Sequence, residues 1–315
     1  YGVPNRMLSE LKQPGEVLGI IKDELADEVG LPHGIKLYAS GSDKACETVG
    51  LGALSNEIAA VSYGTASSIE VSSRSFHNPE PYLPAYPAAV PDWYNLEVQI
   101  YRGYWMISWF AKEFANEVIT DAKVSDMAYE AILNEKLANI PAGSDGLVLQ
   151  PYWGPGLHRP LSKGAIIGFT DTHTKYHLYR AIIEGIGFGL KEGMIGIEKK
   201  LHHKVKEIRI SGGGSQSDII CQITADLFGI PVSRVQTFET SSLGAAVGVF
   251  LAAKEFNSTD EAISSMVHKG DTFMPDEETN KTYEYLYKKV YTKMFPRLTG
   301  IYVNLFKYWK NKVNK

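Results

Sequence analysis

Cysteine is scarce in this 315-residue chain, with only Cys46 and Cys221. Both fall in segments predicted to be helical, and neither has neighbouring metal-ligand spacing. A disulfide framework or zinc site is therefore not expected, and a reducing cytoplasm fits best. No run of about 18 apolar residues occurs. The first residues also lack the basic, apolar, small-residue order of a secretory signal, so no membrane partner is expected. Nor is there a basic excess. Thirty-two Lys and Arg stand against 36 Asp and Glu, a formal charge of −4, which supplies no electrostatic reason to bind nucleic acid. The basic runs KKLHHKVK (199–206) and FKYWKNKVNK at the C-terminus read as solvated faces. G-x-G-x-x-G, Walker A, G-x-S-x-G and H-E-x-x-H are all missing, which disfavours the commonest nucleotide, hydrolase and metalloprotease designs.

What is present is alternation of β and α, the mark of a layered α/β fold. The length exceeds that of one ordinary core, so two domains are expected. A helix over 21–29 stops at Gly30. A strand over 35–39 runs into Gly41-Ser42-Asp43, after which small and apolar residues recur at helical spacing to Leu54. Strands over 58–62 and 67–71 form a hairpin turning at 63–66. Five prolines in 76–91 preclude regular structure and place the expected boundary between domains 1–75 and 76–315. Beyond it come the strand NLEVQIY, an aromatic helix from Trp105, a polar helix over 123–138 and a buried strand over 146–150. A long helix over 177–200 carries an apolar stripe at Leu178, Ile182, Ile186, Leu190 and Met194. Strand 207–210, SGGGSQS, helix 218–228, strand 232–235 and helix 243–253 follow.

Three motifs invite chemistry. SGGGSQS empties a strand into three glycines and a helix N-terminus, a geometry that lets a ligand approach the backbone and aims N–H groups at negative charge. The alternative is a flexible turn with Asp218 near the helix start. YGTAS (63–67) is either a tight turn or a phosphate-contacting hairpin, with the Thr65 hydroxyl facing a transferred group. Asp43 is either an N-terminal cap or a base within hydrogen-bond reach of a substrate hydroxyl. Both roles are compatible, because a helix N-terminus keeps a carboxylate ionised. His173 and His177 share an i, i+4 spacing without an acidic or cysteine partner, so no metal site is expected there.

In order, these motifs resemble the FGGY family of carbohydrate kinases, of the ribonuclease H-like, actin-like ATPase superfamily. The most diagnostic stretch is GAIIGFTDTHTKYHLYRAIIEG (164–185). Gly164, Ile166, Gly168, Phe169, His177, Leu178, Ala181 and Glu184 follow the family's second signature, Phe169 standing where an aliphatic residue is usual. PYWGPGLHRP is similar to the approach to that signature. SGGGSQSDIICQITADLFGIPV with ETSSLGAAVGVF (239–250) is similar to the adenosine motif, YGT to the second phosphate motif, and GSDKACETVGLG to the G-x-D element.

The resemblance implies ATP and Mg²⁺ as cofactors and a sugar or polyol as partner, with a pentulose such as xylulose a family-level guess and a homodimer an option. It assigns Asp43 as the base. Gly64 and Thr65 would lie beside the phosphates, and Gly213, Gly214, Ser217 and Asp218 along the nucleotide. Ser108 would approach the adenine side. Lys44 departs from the usual Gln, Asn or His.

The family's first phosphate loop, DxGTxxxR, is not found before Asp43, and the chain begins at Tyr1 rather than Met. The expectation is thus the tail of a first, sugar-binding domain followed by a second, nucleotide-binding domain, with the isolated chain a poor kinase. A non-catalytic sugar- or nucleotide-binding regulator, an actin-like assembly module and a simple ATPase are the alternatives. An upstream DxGTxxxR would favour the kinase.

Overall fold

In the computed structural model of the chain, residues 3–81, 83–154, 156 and 159–313 are described. Tyr1, Tyr82 in the connector, residues 155, 157 and 158 of PYWGPGLHRP, and the last two residues of the C-terminal basic run lie outside them. Strand β1 (Val17–Ile20), helix α1 (Asp23–Val29) and strand β2 (Lys36–Tyr38) come first, and β1 pairs antiparallel with β2 as a sheet of its own. Gly30, at φ 72°, ends α1 in the left-handed conformation that costs glycine little. Helix α2 (Asp43–Gly50) follows.

The main sheet begins with β3 (Ile58–Tyr63) and β4 (Ser67–Ser73), the expected hairpin, and continues with β5 (Tyr86–Pro87) and β6 (Tyr94–Ile100). Three helices succeed it: α3 (Trp105–Phe114), α4 (Asn116–Ser125) and α5 (Tyr129–Leu137). A second small sheet pairs β7 (Val148–Gln150) with β8 (Ala165–Ile167), and then comes α6 (Lys175–Leu201). The chain re-enters the main sheet through β9 (Glu207–Ser211), α7 (Asp218–Phe228) and β10 (Val232–Val235). It ends with α8 (Thr240–Ala252), α9 (Thr259–Met266), β11 (Lys269–Phe273), α10 (Glu277–Leu286) and α11 (Thr292–Val313).

The seven strands lie in the order β11-β10-β9-β3-β4-β6-β5. The hairpin and β6 form an antiparallel meander, whereas β9 runs parallel to β3 and β10 parallel to β9. A parallel neighbour requires a crossover, which α7 supplies between β9 and β10.

Strand periodicity divides the sheet into unlike faces. Val61, Ile69, Val71, Leu96, Val98, Ile208 and Ile210 enter the main core, against which α6 lies on β4 and β6. The alternate positions, Ser62, Ser68, Glu70, Ser72 and Ser211, are polar and yet buried. Helix α2 covers that polar face, and α8 packs on α2.

Three expectations need correction. The domain boundary at 75/76 would cut one sheet, since β3 and β4 precede it while their partners β9 and β6 follow it. The proline connector is not wholly irregular, because Tyr86 and Pro87 pair with Asn95 and Tyr94 on the sheet edge, where a missing N–H is tolerated. The polar helix over 123–138 is two helices, broken at Asp126, whose φ of 53° is left-handed.

The long helix was anticipated in place but not in its fastening. His177 completes a capping box with Thr174 at its start, and its ring also meets Asp145 at 3.1 Å. One and two turns on, Arg180 and Glu184 are buried together, Nε to Oε1 at 2.7 Å. Glu184 also accepts from the Gly143 backbone at 3.0 Å, the Ser144 hydroxyl at 3.0 Å and the Tyr283 hydroxyl at 2.8 Å. The acid that closes the segment 164–184 is therefore a structural hub joining α6 to α10 and to the loop before β7.

Candidate functional site

Asp43 is the first residue of α2 and is exposed. The cap itself is Ser42, whose hydroxyl accepts the Ala45 N–H at 3.2 Å, so Asp43 is not needed for capping. Its Oδ1 accepts the N–H of Lys44 at 2.8 Å. The Ser241 hydroxyl of α8 donates to its backbone carbonyl at 3.1 Å. The carboxylate thus stands at a helix N-terminus and faces solvent.

The turn 63–66 and the loop 212–217 meet beside it. Tyr104 and Trp105 donate their backbone N–H groups to the carbonyls of Gly64 and Thr65, at 3.1 and 3.2 Å, which docks the start of α3 on the turn. Tyr63 and Tyr104 stack at 4.7 Å between ring centroids, and the Tyr63 hydroxyl reaches Thr224 of α7 at 2.9 Å. A Cβ on Gly214 would lie 2.6 Å from the Tyr104 ring and 2.8 Å from Tyr63 Cβ, so only glycine lets the loop close on the turn. Gly213, by contrast, is exposed with open space before it. Gly64, Thr65, Gly213 and Gly214 are therefore brought into one neighbourhood.

Ser217 caps α7 by position, but its side chain makes no cap hydrogen bond. The first N–H groups of this 11-residue helix are thereby left for an anion. Asp218 is engaged differently: it pairs with Arg234 Nη1 at 2.7 Å. Arg234, on β10, escaped the sequence reading. Its Nε donates to the Ser215 carbonyl at 2.5 Å, and its guanidinium lies 5.0 Å from the Phe273 ring centroid. A charged residue in a strand of the main sheet was the available signal. Ser108 sits on α3 and is exposed, with its hydroxyl 3.1 Å from that of Tyr129 on α5. Among the described residues no hydrogen bond or ion pair ties it to the loop 212–217.

Under α2, the polar face of the sheet holds a group of acids that sequence reasoning missed. Glu70 and Glu97 are directly opposed across β4 and β6, where like charges repel. Burial, followed by the charges of Glu97 and Glu47, pushes Glu70 up to about 8. Glu97 is also raised, chiefly by burial, while Lys44 opposes the shift. Glu70 accepts from Thr48 at 2.9 Å and Tyr86 at 2.8 Å. Lys44 Nζ donates to Glu47 Oε2 and to Ser62 Oγ, each at 2.6 Å. The alternation S-I-E-V-S against N-L-E-V-Q was the legible hint.

Among the described residues no group of three or more His, Cys, Asp or Glu is arranged to hold a metal ion. Magnesium that enters with nucleotide phosphates needs only one or two protein carboxylates; Asp43 and Asp218 are both exposed at the site, and Asp218 is already paired with Arg234. The same residues include no helix long and apolar enough to cross a membrane.

Comparisons with known proteins bear on the family and the fold. The model of the FGGY family of carbohydrate kinases, C-terminal domain, matches residues 59–253. The chain is similar to the uncharacterized sugar kinase YgcE of Escherichia coli (strain K12), 30% identical over 293 residues, covering 92% of this chain and 59% of that protein. It is 28% identical to a xylulose kinase of Staphylococcus epidermidis over 294 residues, 91% of this chain and 56% of the other. The crystal structure of xylulose kinase from Rhodospirillum rubrum superposes with a TM-score of 0.78 at 25% identity, covering 92% of this chain and 57% of that one. The chain thus spans somewhat over half the length of the relatives it matches, and its fold is the ribonuclease H-like one of these kinases.

Proposed function

The chain belongs to the FGGY family of carbohydrate kinases, and from that membership we propose that the whole protein transfers the γ-phosphoryl group of ATP to a hydroxyl of a sugar or polyol. Asp43 accepts the hydroxyl proton as the sugar oxygen bonds to phosphorus and ADP leaves. Backbone N–H groups of the turn 63–66 and of the α7 N-terminus hold phosphate oxygens, with the Thr65 hydroxyl beside them. Preorganised donors of this kind supply most of the rate in phosphoryl transfer. Magnesium neutralises phosphate charge when bound.

The observation that carries this reading is the uncapped, exposed carboxylate of Asp43, tied through Lys44 and Ser62 to the turn that follows β3. A pentulose such as xylulose is the first substrate to test, because relatives bearing that name match along 91% of the chain. The isolated 315-residue chain is a poor kinase on this view, and the reaction belongs to the full-length protein in the cytoplasm.

Sugar-dependent ADP formation by the full-length protein, across a panel of pentuloses, hexonates and polyols, tests the proposal. Asp43→Ala should lower kcat by about a thousandfold or more while nucleotide affinity stays within about threefold. Near-normal turnover in that variant would remove Asp43 from the mechanism.

A further inference from the structure

One buried carboxylate joins all three parts of the candidate site. Glu47 lies one helical turn beyond Asp43 in α2 and is only 7% exposed. Its Oε2 receives Lys44 Nζ at 2.6 Å, and its Oε1 receives the Ser211 hydroxyl. Lys44 Nζ bridges onward to Ser62 Oγ at 2.6 Å. Ser62 directly precedes the turn 63–66, and Ser211 directly precedes the glycines 212–214. Both serines are buried, so water does not compete for these bonds and low polarity strengthens them.

At the other end of α2, Gly50 rests on the backbone of Thr240 in α8. Helix α2 is therefore held along its length by α8, at Gly50, at Cys46 and through the Ser241 hydroxyl on the Asp43 carbonyl, whereas the Lys44–Glu47 junction holds it to the ends of β3 and β9. A shift at the end of β3 reaches the first turn of α2 through Lys44, and one at the end of β9 reaches it through Glu47 and then Lys44.

We propose that Glu47 is a positioning residue, which with Lys44 locks the helix carrying Asp43 to the ends of β3 and β9, so that nucleotide held by the two turns sets the place of the base. This assignment rests on reading Asp43 as the base and the turns as nucleotide contacts. Nothing in the composition of the G-x-D element required an acid four residues after Asp43. The pair Lys44 and Glu47 is an ion pair of one lysine with one acid, and the other acids of the face, Glu70 and Glu97, are held toward their neutral forms.

The test uses the full-length protein, with Mg²⁺ and a non-hydrolysable ATP analogue as the probe, and follows amide hydrogen exchange. In the unmodified protein the probe should slow exchange both in 212–217 and in 43–48. In Glu47→Gln, which keeps size, and in Ser211→Ala, which keeps the Lys44 pair, protection of 212–217 should persist while that of 43–48 falls to the unliganded level. In the same variants kcat should drop by about ten- to a hundredfold, as small misplacements of a catalytic group do, with the KM for ATP within about twofold.

Equal protection of 43–48 in the variants and the unmodified protein overturns the proposal while leaving the kinase reading intact. Protection of neither segment in the unmodified protein overturns both. Protection of both segments, lost from 43–48 in the variants, supports the positioning role even if no sugar in the panel is phosphorylated, in which case the kinase reading alone fails.

Discussion

Asp43 and Arg234 are held in two different ways at the proposed site. Asp43 is free to act because Ser42 already satisfies the cap of α2. Arg234 acts from beneath, with its side chain 18% exposed and bonded to Ser215 and Asp218. Charge-assisted hydrogen bonds of this kind contribute about 1.5–3 kcal/mol. Arg234→Met should therefore loosen the loop 212–217 and weaken nucleotide binding by roughly tenfold, about 1.4 kcal/mol. Titration calorimetry on the full-length protein measures this, and an unchanged Kd would show that the loop holds itself. Glu184 is a different case, an acid inside a signature segment that touches only structural partners. Truncating it leaves the buried Arg180 charge without its carboxylate, with only the Leu137 and Ile140 carbonyls and the Tyr283 hydroxyl as acceptors, so Glu184→Ala should cost about 3–5 kcal/mol of stability, read from denaturant unfolding. A loss below about 1 kcal/mol would mean that those neutral acceptors are enough for the buried guanidinium.

Two helices decide where the site can be. α2 and α8 cross so closely that a Cβ on Gly50 would strike the Thr240 carbonyl, and one on Gly244 the Cys46 carbonyl. Neither glycine has a positive φ, so the requirement is space rather than backbone conformation. Gly50→Ala or Gly244→Ala should destabilise the protein by about 1–3 kcal/mol through overpacking and displace Asp43 with the helix. The melting temperature and kcat should fall together in these variants. Melting unchanged from the parent in both would show that the crossing is looser than the geometry requires. The helix α6 contributes differently, anchoring the loop before β7 and α10 through Glu184 and setting the apolar side of the sheet.

For the whole molecule, the unequal faces of the main sheet make stability depend on pH. Glu70 is raised from 4.5 to about 8. Below about pH 4.5 folded and unfolded chains both carry its proton. Between there and pH 8 only the folded chain does, so stability contributed by the protonated acid is progressively lost as pH rises, with the loss complete above about 8. Glu70→Gln, which carries no titrating proton, should remove much of the decline in melting temperature between about pH 5 and pH 8.5. An identical decline in the variant would place its source elsewhere.

Much of the fold is legible in the sequence. The 3.6-residue stripe of α6, the strand–glycine–helix run of β9 and α7, and the hairpin at 63–66 all follow from local periodicity and turn chemistry, which act over a few neighbouring residues. The family itself was legible because its motifs occur in order, each with its own local geometry. What local pattern could not carry was pairing across distance. The boundary expected at 75/76 failed because the strands on either side of it hydrogen-bond to each other. The break at Asp126 turned on one left-handed residue within an otherwise polar helical pattern. Lys44, Glu47, Ser62 and Ser211 are unremarkable in sequence, and become a junction only when β3 and β9, more than a hundred residues apart, lie side by side beneath α2. The sequence by itself determined the elements and the chemistry of the turns. Tertiary structure alone decided which buried charges face one another, because that depends on sheet order and not on any local preference.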